Sequence, residues 1–181
     1  IPIPQNYTQG VAEVREDGYT ILQNVFDKEL LLKLKGEMEE CILKGGDNLN
    51  VDDDYYATVD QPMLRCPSAV QIAFSDLVRN FSTEYFRVQP AIGTFNLRKS
   101  RLNDSDAHGF NNHGNLFYHY DNNSPHFLKF FFYLNDVDSN GGPFTYVAGS
   151  HRQKFSGWQM SKRFSDDHIE NIYGKERIKH L

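Results

Sequence analysis

The run Phe127-Leu-Lys-Phe-Phe-Phe-Tyr-Leu134 constrains the fold more than any other stretch of this chain. Side chains of an extended segment point alternately to its two faces. Leu128, Phe130, Phe132 and Leu134 then make one wholly apolar face, suited to packing against an opposing sheet or helix. Phe127, Lys129, Phe131 and Tyr133 make the other. A lysine among large aromatics on a central strand is costly to bury without an anionic partner. Two readings stand open. Either this is an edge strand whose Lys129 sits in water and discourages edge pairing, or Lys129 meets a carboxylate inside a cavity.

A carboxylate lies nearby in His119-Tyr120-Asp121. If this triplet is extended, His119 and Asp121 share a face, with α-carbons roughly 6.5 Å apart, two rises of about 3.3 Å. From there an imidazole nitrogen and a carboxylate oxygen can converge on one metal ion. Two histidines and a carboxylate on one face of a metal form the triad of non-haem Fe(II) oxygenases, which leaves positions open for co-substrate and oxygen. Two of the three ligands are in view. Alone, a His-x-Asp triplet arises often by chance, and its bland reading is a histidine beside a solvated aspartate.

With 181 residues the chain is expected to form one domain. Hydrophobic residues at 39% and aromatics at 14% mark a globular chain rather than a disordered one. The net charge of −5, with Lys and Arg scattered, argues against a nucleic-acid partner. No apolar run approaches a membrane span, and no charged-then-apolar leader opens the sequence. Cys41 and Cys66 form no ligand-spaced pair, and one bridge would not make a disulfide framework. A reducing cytoplasm is the default expectation. The ends, Ile1 and Lys179-His-Leu181, read as those of a piece from a longer chain.

Gly18-Tyr-Thr-Ile-Leu22 is expected to be a short strand. Asp27 can cap the following helix. Leu30, Leu31, Leu34, Met38, Cys41 and Ile42 give it one apolar stripe, and Gly45-Gly46 ends it. Asp47 to Asp54 lacks the spaced ligands and closing Glu of a calcium loop, so a solvated surface loop is expected. A second helix is expected over Ser68 to Asn80. From about Gln89 strands take over. In Ala91 to Arg98, Thr94, Asn96 and Arg98 share a polar face, turned either to water or into a barrel cavity. Lys99 to Gly114 is a long polar loop of functional length. Strands follow at Tyr118 to Asp121, Phe127 to Leu134 and Phe144 to Val147, with a strong turn signal between the last two. Helices first and antiparallel strands afterwards suggest an α+β arrangement, helices buttressing a β-sandwich or jelly roll.

The ordered set His119-Tyr-Asp121, Leu128-Lys-Phe-Phe-Phe-Tyr-Leu-Asn-Asp-Val137 and Asn140-Gly-Gly-Pro-Phe-Thr-Tyr-Val-Ala-Gly-Ser-His-Arg152 resembles the phytanoyl-CoA dioxygenase family. Gly18 to Val25, with the helix after it, resembles that family's opening. The resemblance covers most of the chain and is densest over 115–152. It implies a double-stranded β-helix (jelly roll), Fe(II), 2-oxoglutarate as co-substrate, and oxidation of a small molecule or acyl conjugate, usually by hydroxylation. His119 and Asp121 are then the first two iron ligands. Asp121 argues against the related halogenases, where a small residue leaves that position open for chloride. Lys129, or Arg98 with Asn96 and Thr94, is expected to hold polar ends of 2-oxoglutarate through charge-assisted bonds. His151 is expected to shape its loop.

The family's distal histidine and its 2-oxoglutarate arginine have no match before Leu181. They are expected beyond it, together with the closing strands. The chain thus reads as a single oxygenase-like domain, 1–88 mainly helical buttress and 89–181 jelly-roll strands, C-terminally incomplete. His168 is expected on a solvated helix face, and His180 is not expected to bind metal. His108, His113 and His126 are expected at the surface or on the substrate side. The loops at 99–114 and 47–54 are candidate lids. The alternative is a non-catalytic jelly-roll binding module with an incomplete metal site. A zinc-binding, cupin-like protein would need more clustered histidines.

Overall fold

The computed structural model describes residues 5–45, 49–52, 56–100, 117–121, 126–138, 143–155 and 163–181. Helices and small antiparallel sheets alternate along the chain, which makes it α+β. Two compact units form. One gathers Ile1–Thr8, Leu22–Ala107 and Phe130–Asp136, the other Gln9–Ile21, His108–Lys129 and Val137–Leu181.

In the first unit, α2 (Lys28–Lys44) begins where the Asp27 carboxylate accepts from the Glu29 amide at 2.9 Å. It stops at Gly45, whose φ of 64° is the left-handed exit that glycine permits. Leu34, Met38 and Cys41 of its stripe are buried. They pack with Val59, Cys66, Ala69, Ile72 and Leu97 into one core, which Phe132 and Leu134 also join.

The acidic stretch is not only loop. Leu49–Asp52 is a strand, β1, beside β2 (Tyr56–Asp60), which in turn pairs with β3 (Asn96–Ser100). β2 is central, and Ala57, Thr58 and Val59 on both its faces are buried. This sheet, order β1-β2-β3, interrupts the helical half. The strand expected from Ala91 is shorter, starting at Asn96. The helix expected over 68–80 is two: α3 (Pro67–Ala73) and α4 (Asp76–Phe86). Ser75 divides them, because its hydroxyl accepts from the Val78 amide and caps α4.

In the second unit, β4 (Thr145–Val147) and β5 (Ile178–His180) pair antiparallel, Thr145 opposite His180. Ser165 caps α5 (Asp166–Tyr173). Val147, Phe164, Ile169 and Tyr173 form a second core, with Tyr118, Phe155 and Ile178 against it. The end of α1 (Gln5–Asp17) is tied to the turn after β4. Gly149 N–H donates to Asp17 O at 2.7 Å, and Arg152 makes an ion pair with Glu16 at 2.7 Å.

Three expected strands form no ladder among the described residues. Gly18 to Leu22 and Phe127 to Leu134 pair with no described strand, and Tyr118 to Asp121 has one bridge there, Tyr118 to Phe164. Alternation decides which side chains are buried, but a ladder needs a neighbouring backbone. The alternation itself is visible. Phe130, Phe132 and Leu134 are half-buried, while Lys129, Phe131 and Tyr133 are exposed. Phe130 meets Phe81 edge-on at 5.7 Å and Phe132 meets Phe26 at 5.4 Å. The loop expected over 99–114 lies outside the described residues except for its first two, which end β3. No helix among the described residues is long and apolar enough to cross a membrane.

Candidate metal centre

The segment 117–121 is held to the second core by its even-numbered residues. Tyr118 exchanges backbone hydrogen bonds with Phe164, at 3.1 and 2.9 Å, and packs on the core. The Tyr120 hydroxyl lies 2.6 Å from that of Tyr173, which itself donates to Gln153 O at 2.7 Å. Burial pushes the Tyr118 phenol up to about 12 and raises that of Tyr120 as well, where the Tyr173 contact adds to it. With 118 and 120 anchored, period-2 geometry turns 119 and 121 together on the other side. His119 Nε2 stands 3.5 Å from Asp121 Oδ1.

The remaining atoms of both groups are engaged. His119 Nδ1 lies 2.8 Å from the Phe117 carbonyl oxygen, to which its N–H donates. Lys129 Nζ donates to Asp121 Oδ2 at 2.5 Å. The imidazole pKa is raised: the Asp121 hydrogen bond raises it most, burial opposes, the Phe117 carbonyl supports, and the Arg163 guanidinium opposes. The Asp121 carboxyl is held far below the usual carboxylate range, first by His119 and then, against burial, by Lys129.

This arrangement makes a specific electrostatic demand. With Nδ1–H given to a carbonyl, a neutral imidazole turns its Nε2 lone pair toward a carboxylate oxygen. Two lone pairs at 3.5 Å repel unless something positive lies between them. A proton on Nε2 satisfies the pair, and so does a metal ion. An imidazole whose second nitrogen is tied to a carbonyl is the usual state of a metal-ligating histidine, fixed in tautomer and ring orientation. The 3.5 Å gap is shorter than the sum of two metal–ligand bonds of about 2.0–2.2 Å each, so one ion can meet both atoms. His119 and Asp121 fit a metal as two of its ligands. No group of three or more His, Cys, Asp or Glu able to hold a metal occurs among the described residues.

Other candidate residues fall elsewhere. Lys129 bonds the Asp121 carboxylate, so the anionic partner that a lysine in this run requires is Asp121. Thr94, Asn96 and Arg98 are in the first unit, where all three are exposed. His108 and His113 lie outside the described residues, and His126 is exposed. His151 Nε2–H donates to Arg15 O at 3.2 Å, and its ring stands against Gly18. His168 stacks on Phe164 with ring centroids 5.4 Å apart. His180 ends β5 with Nδ1 3.2 Å from Thr145 Oγ1. The Phe117 carbonyl and the Tyr120–Tyr173 contact, both of which position the site, were not anticipated. A main-chain acceptor leaves no mark in sequence, but aromatic residues at 118 and 120 beside polar ones at 119 and 121 were a usable signal.

Comparison of the chain with protein-family models, with curated proteins and with solved structures found no match.

Proposed function

We propose that this chain is part of a non-haem Fe(II)/2-oxoglutarate-dependent dioxygenase of the phytanoyl-CoA dioxygenase kind, built on a jelly-roll frame and hydroxylating a small molecule or acyl conjugate. The observation that carries the reading is the convergence of His119 Nε2 and Asp121 Oδ1 with Nδ1 already committed to a carbonyl. When bound, Fe(II) with 2-oxoglutarate supplies an oxidising power that no side chain has. The chain's own contribution is geometric. Phe117 O keeps the Nε2 lone pair of His119 available and aimed. Lys129 occupies Oδ2 of Asp121, so that Oδ1 alone faces His119. Tyr118 and Tyr120, fixed to the second core, hold both ligands in place.

The deciding experiment is anaerobic titration with Fe(II) and 2-oxoglutarate, followed by visible absorption, and then succinate release on admitting oxygen. A charge-transfer band that needs both additions, and that His119→Ala and Asp121→Ala each abolish while keeping native circular dichroism, is the expected result. No band and no succinate from the chain extended past Leu181, or a band indifferent to both substitutions, overturns the proposal.

A second reading has its own observation in favour. Lys129, Asp121 and His119 form a closed set of ion pairs that a protonated imidazole completes without metal. On this reading the chain is a non-catalytic binding module, and the titration shows no iron uptake.

A further inference from the structure

Cys41 and Cys66 are the two cysteines of the chain, and both are free thiols buried in the first core. Their sulfurs lie 3.7 Å apart. Cys41 sits in the last turns of α2, and Cys66 is the residue from which α3 starts, so the pair spans the contact between two packed helices. The two thiols are not equally accessible. Cys66 is fully buried, whereas Cys41 forms part of the wall of a cleft of about 310 Å³ shared with Glu37, Glu40, Lys44 and Arg65.

We propose that Cys41 and Cys66 are an oxidisable dithiol, which hydrogen peroxide entering by that cleft converts to a disulfide linking α2 to the start of α3. Peroxide is small enough for a cleft of this size, and the thiol it meets is Cys41. The Cys41 thiolate attacks one peroxide oxygen. The O–O bond breaks, the departing hydroxide takes up the proton the thiol gave away, and water leaves a sulfenic acid on Cys41. The Cys66 sulfur then attacks the sulfenic sulfur and displaces hydroxide, which leaves as water with the Cys66 proton. Two thiols and one peroxide give one disulfide and two waters.

The positions suit the two roles. Cys41 lines the cleft, whose charged side chains are Glu37, Glu40, Lys44 and Arg65, with Glu40 paired to Lys44. Burial, with the Cys41 contact, pushes the Cys66 thiol up to about 12. A thiol held protonated in this way is not the one that peroxide oxidises first. Closing from contact to a bond of about 2.05 Å requires rotation about the side-chain torsions of one or both residues.

The test uses the reduced, native 181-residue chain, exposed to a few equivalents of hydrogen peroxide, quenched with N-ethylmaleimide and read by intact mass and peptide mapping. The expected product is two hydrogens lighter, resists alkylation, yields one peptide joining Cys41 to Cys66, and reverts with dithiothreitol. Its melting temperature should rise by roughly 5 °C, because the link closes a loop in the unfolded chain. In Cys66→Ser, dimedone should trap the sulfenic acid at Cys41, whereas in Cys41→Ser it should not label Cys66. Alkylation of both thiols, over-oxidation of Cys41 without a link, disulfide-linked dimers, or a link forming no faster than in the guanidinium-unfolded chain would each overturn the proposal. Should a serine variant fail to fold, the peptide map and the unfolded-chain comparison decide alone.

Discussion

At Asp121 one carboxylate serves two cations, and the cost of losing it depends on pH. In the metal-free chain the His119 pKa is raised above its ordinary value of about 6.5. Its contribution to stability is therefore complete below about 6.5 and is lost as pH rises through the folded-state value. Asp121 is depressed, so its contribution is present above about 3.9 and is lost as pH falls toward its folded-state value. The His119–Asp121 pair thus stabilises most in a window that opens near pH 4 and closes somewhat above 6.5. Urea unfolding of wild type and Asp121→Asn across this range should show their largest difference inside the window and a smaller one at pH 9. A constant difference would mean that His119 does not respond to Asp121. Gly18 carries a second residue-scale prediction. Its φ is +87°, and an added Cβ would strike the Tyr146 hydroxyl and come within 2.7 Å of His151 Nδ1. Gly18→Ala should cost about 1–3 kcal/mol, readable as a lower urea midpoint.

Elements whose determinants are local were readable, and those with distant partners were not. α2 carries its start, its stripe and its stop within residues 27–45, and the helix follows that pattern. Removing the Asp27 cap should therefore cost what caps usually cost: Asp27→Ala should destabilise by about 1 kcal/mol, and Asp27→Ser should recover most of it. If Asp27→Ala leaves the unfolding midpoint unchanged, the cap bond to Glu29 carries no weight. β1 and β2 were hidden because their evidence is remote. Val59 pairs with Leu49 on one side and with Leu97 on the other, and acidic residues between β1 and β2 make the region resemble loop. The reverse holds at 127–134. There the alternation is visible in the burial pattern, but no strand among the described residues pairs with it, so side-chain direction is readable and pairing is not. The His119–Asp121 convergence belongs to the readable kind, since it needs only alternation over three residues. The Phe117 carbonyl and the Tyr173 hydroxyl, brought in by the fold, do not.

On the scale of the molecule, two apolar cores divide the work, and the candidate centre depends on the second. Tyr118 packs there on the cluster of Val147, Phe164, Ile169 and Tyr173, and the Phe164 ring lies against Phe155 at 5.0 Å and His168 at 5.4 Å. Replacing that ring with a smaller side chain leaves the backbone bonds to Tyr118 but removes the surface on which segment 117–121 rests. Phe164→Leu should cost about 1–3 kcal/mol. It should also loosen the pairing of His119 with Asp121, so the imidazole pKa, followed by NMR, falls back toward about 6.5. Ile72→Val is the matched control. Ile72 is fully buried in the first core, and trimming it should cost about 0.5–1.5 kcal/mol while leaving the His119 titration where it stands in wild type. If both variants shift the imidazole equally, loss of stability in general moves it, and Tyr118 and Tyr120 are not its anchors. If neither does, the three residues from His119 to Asp121 hold their geometry without the core beneath them.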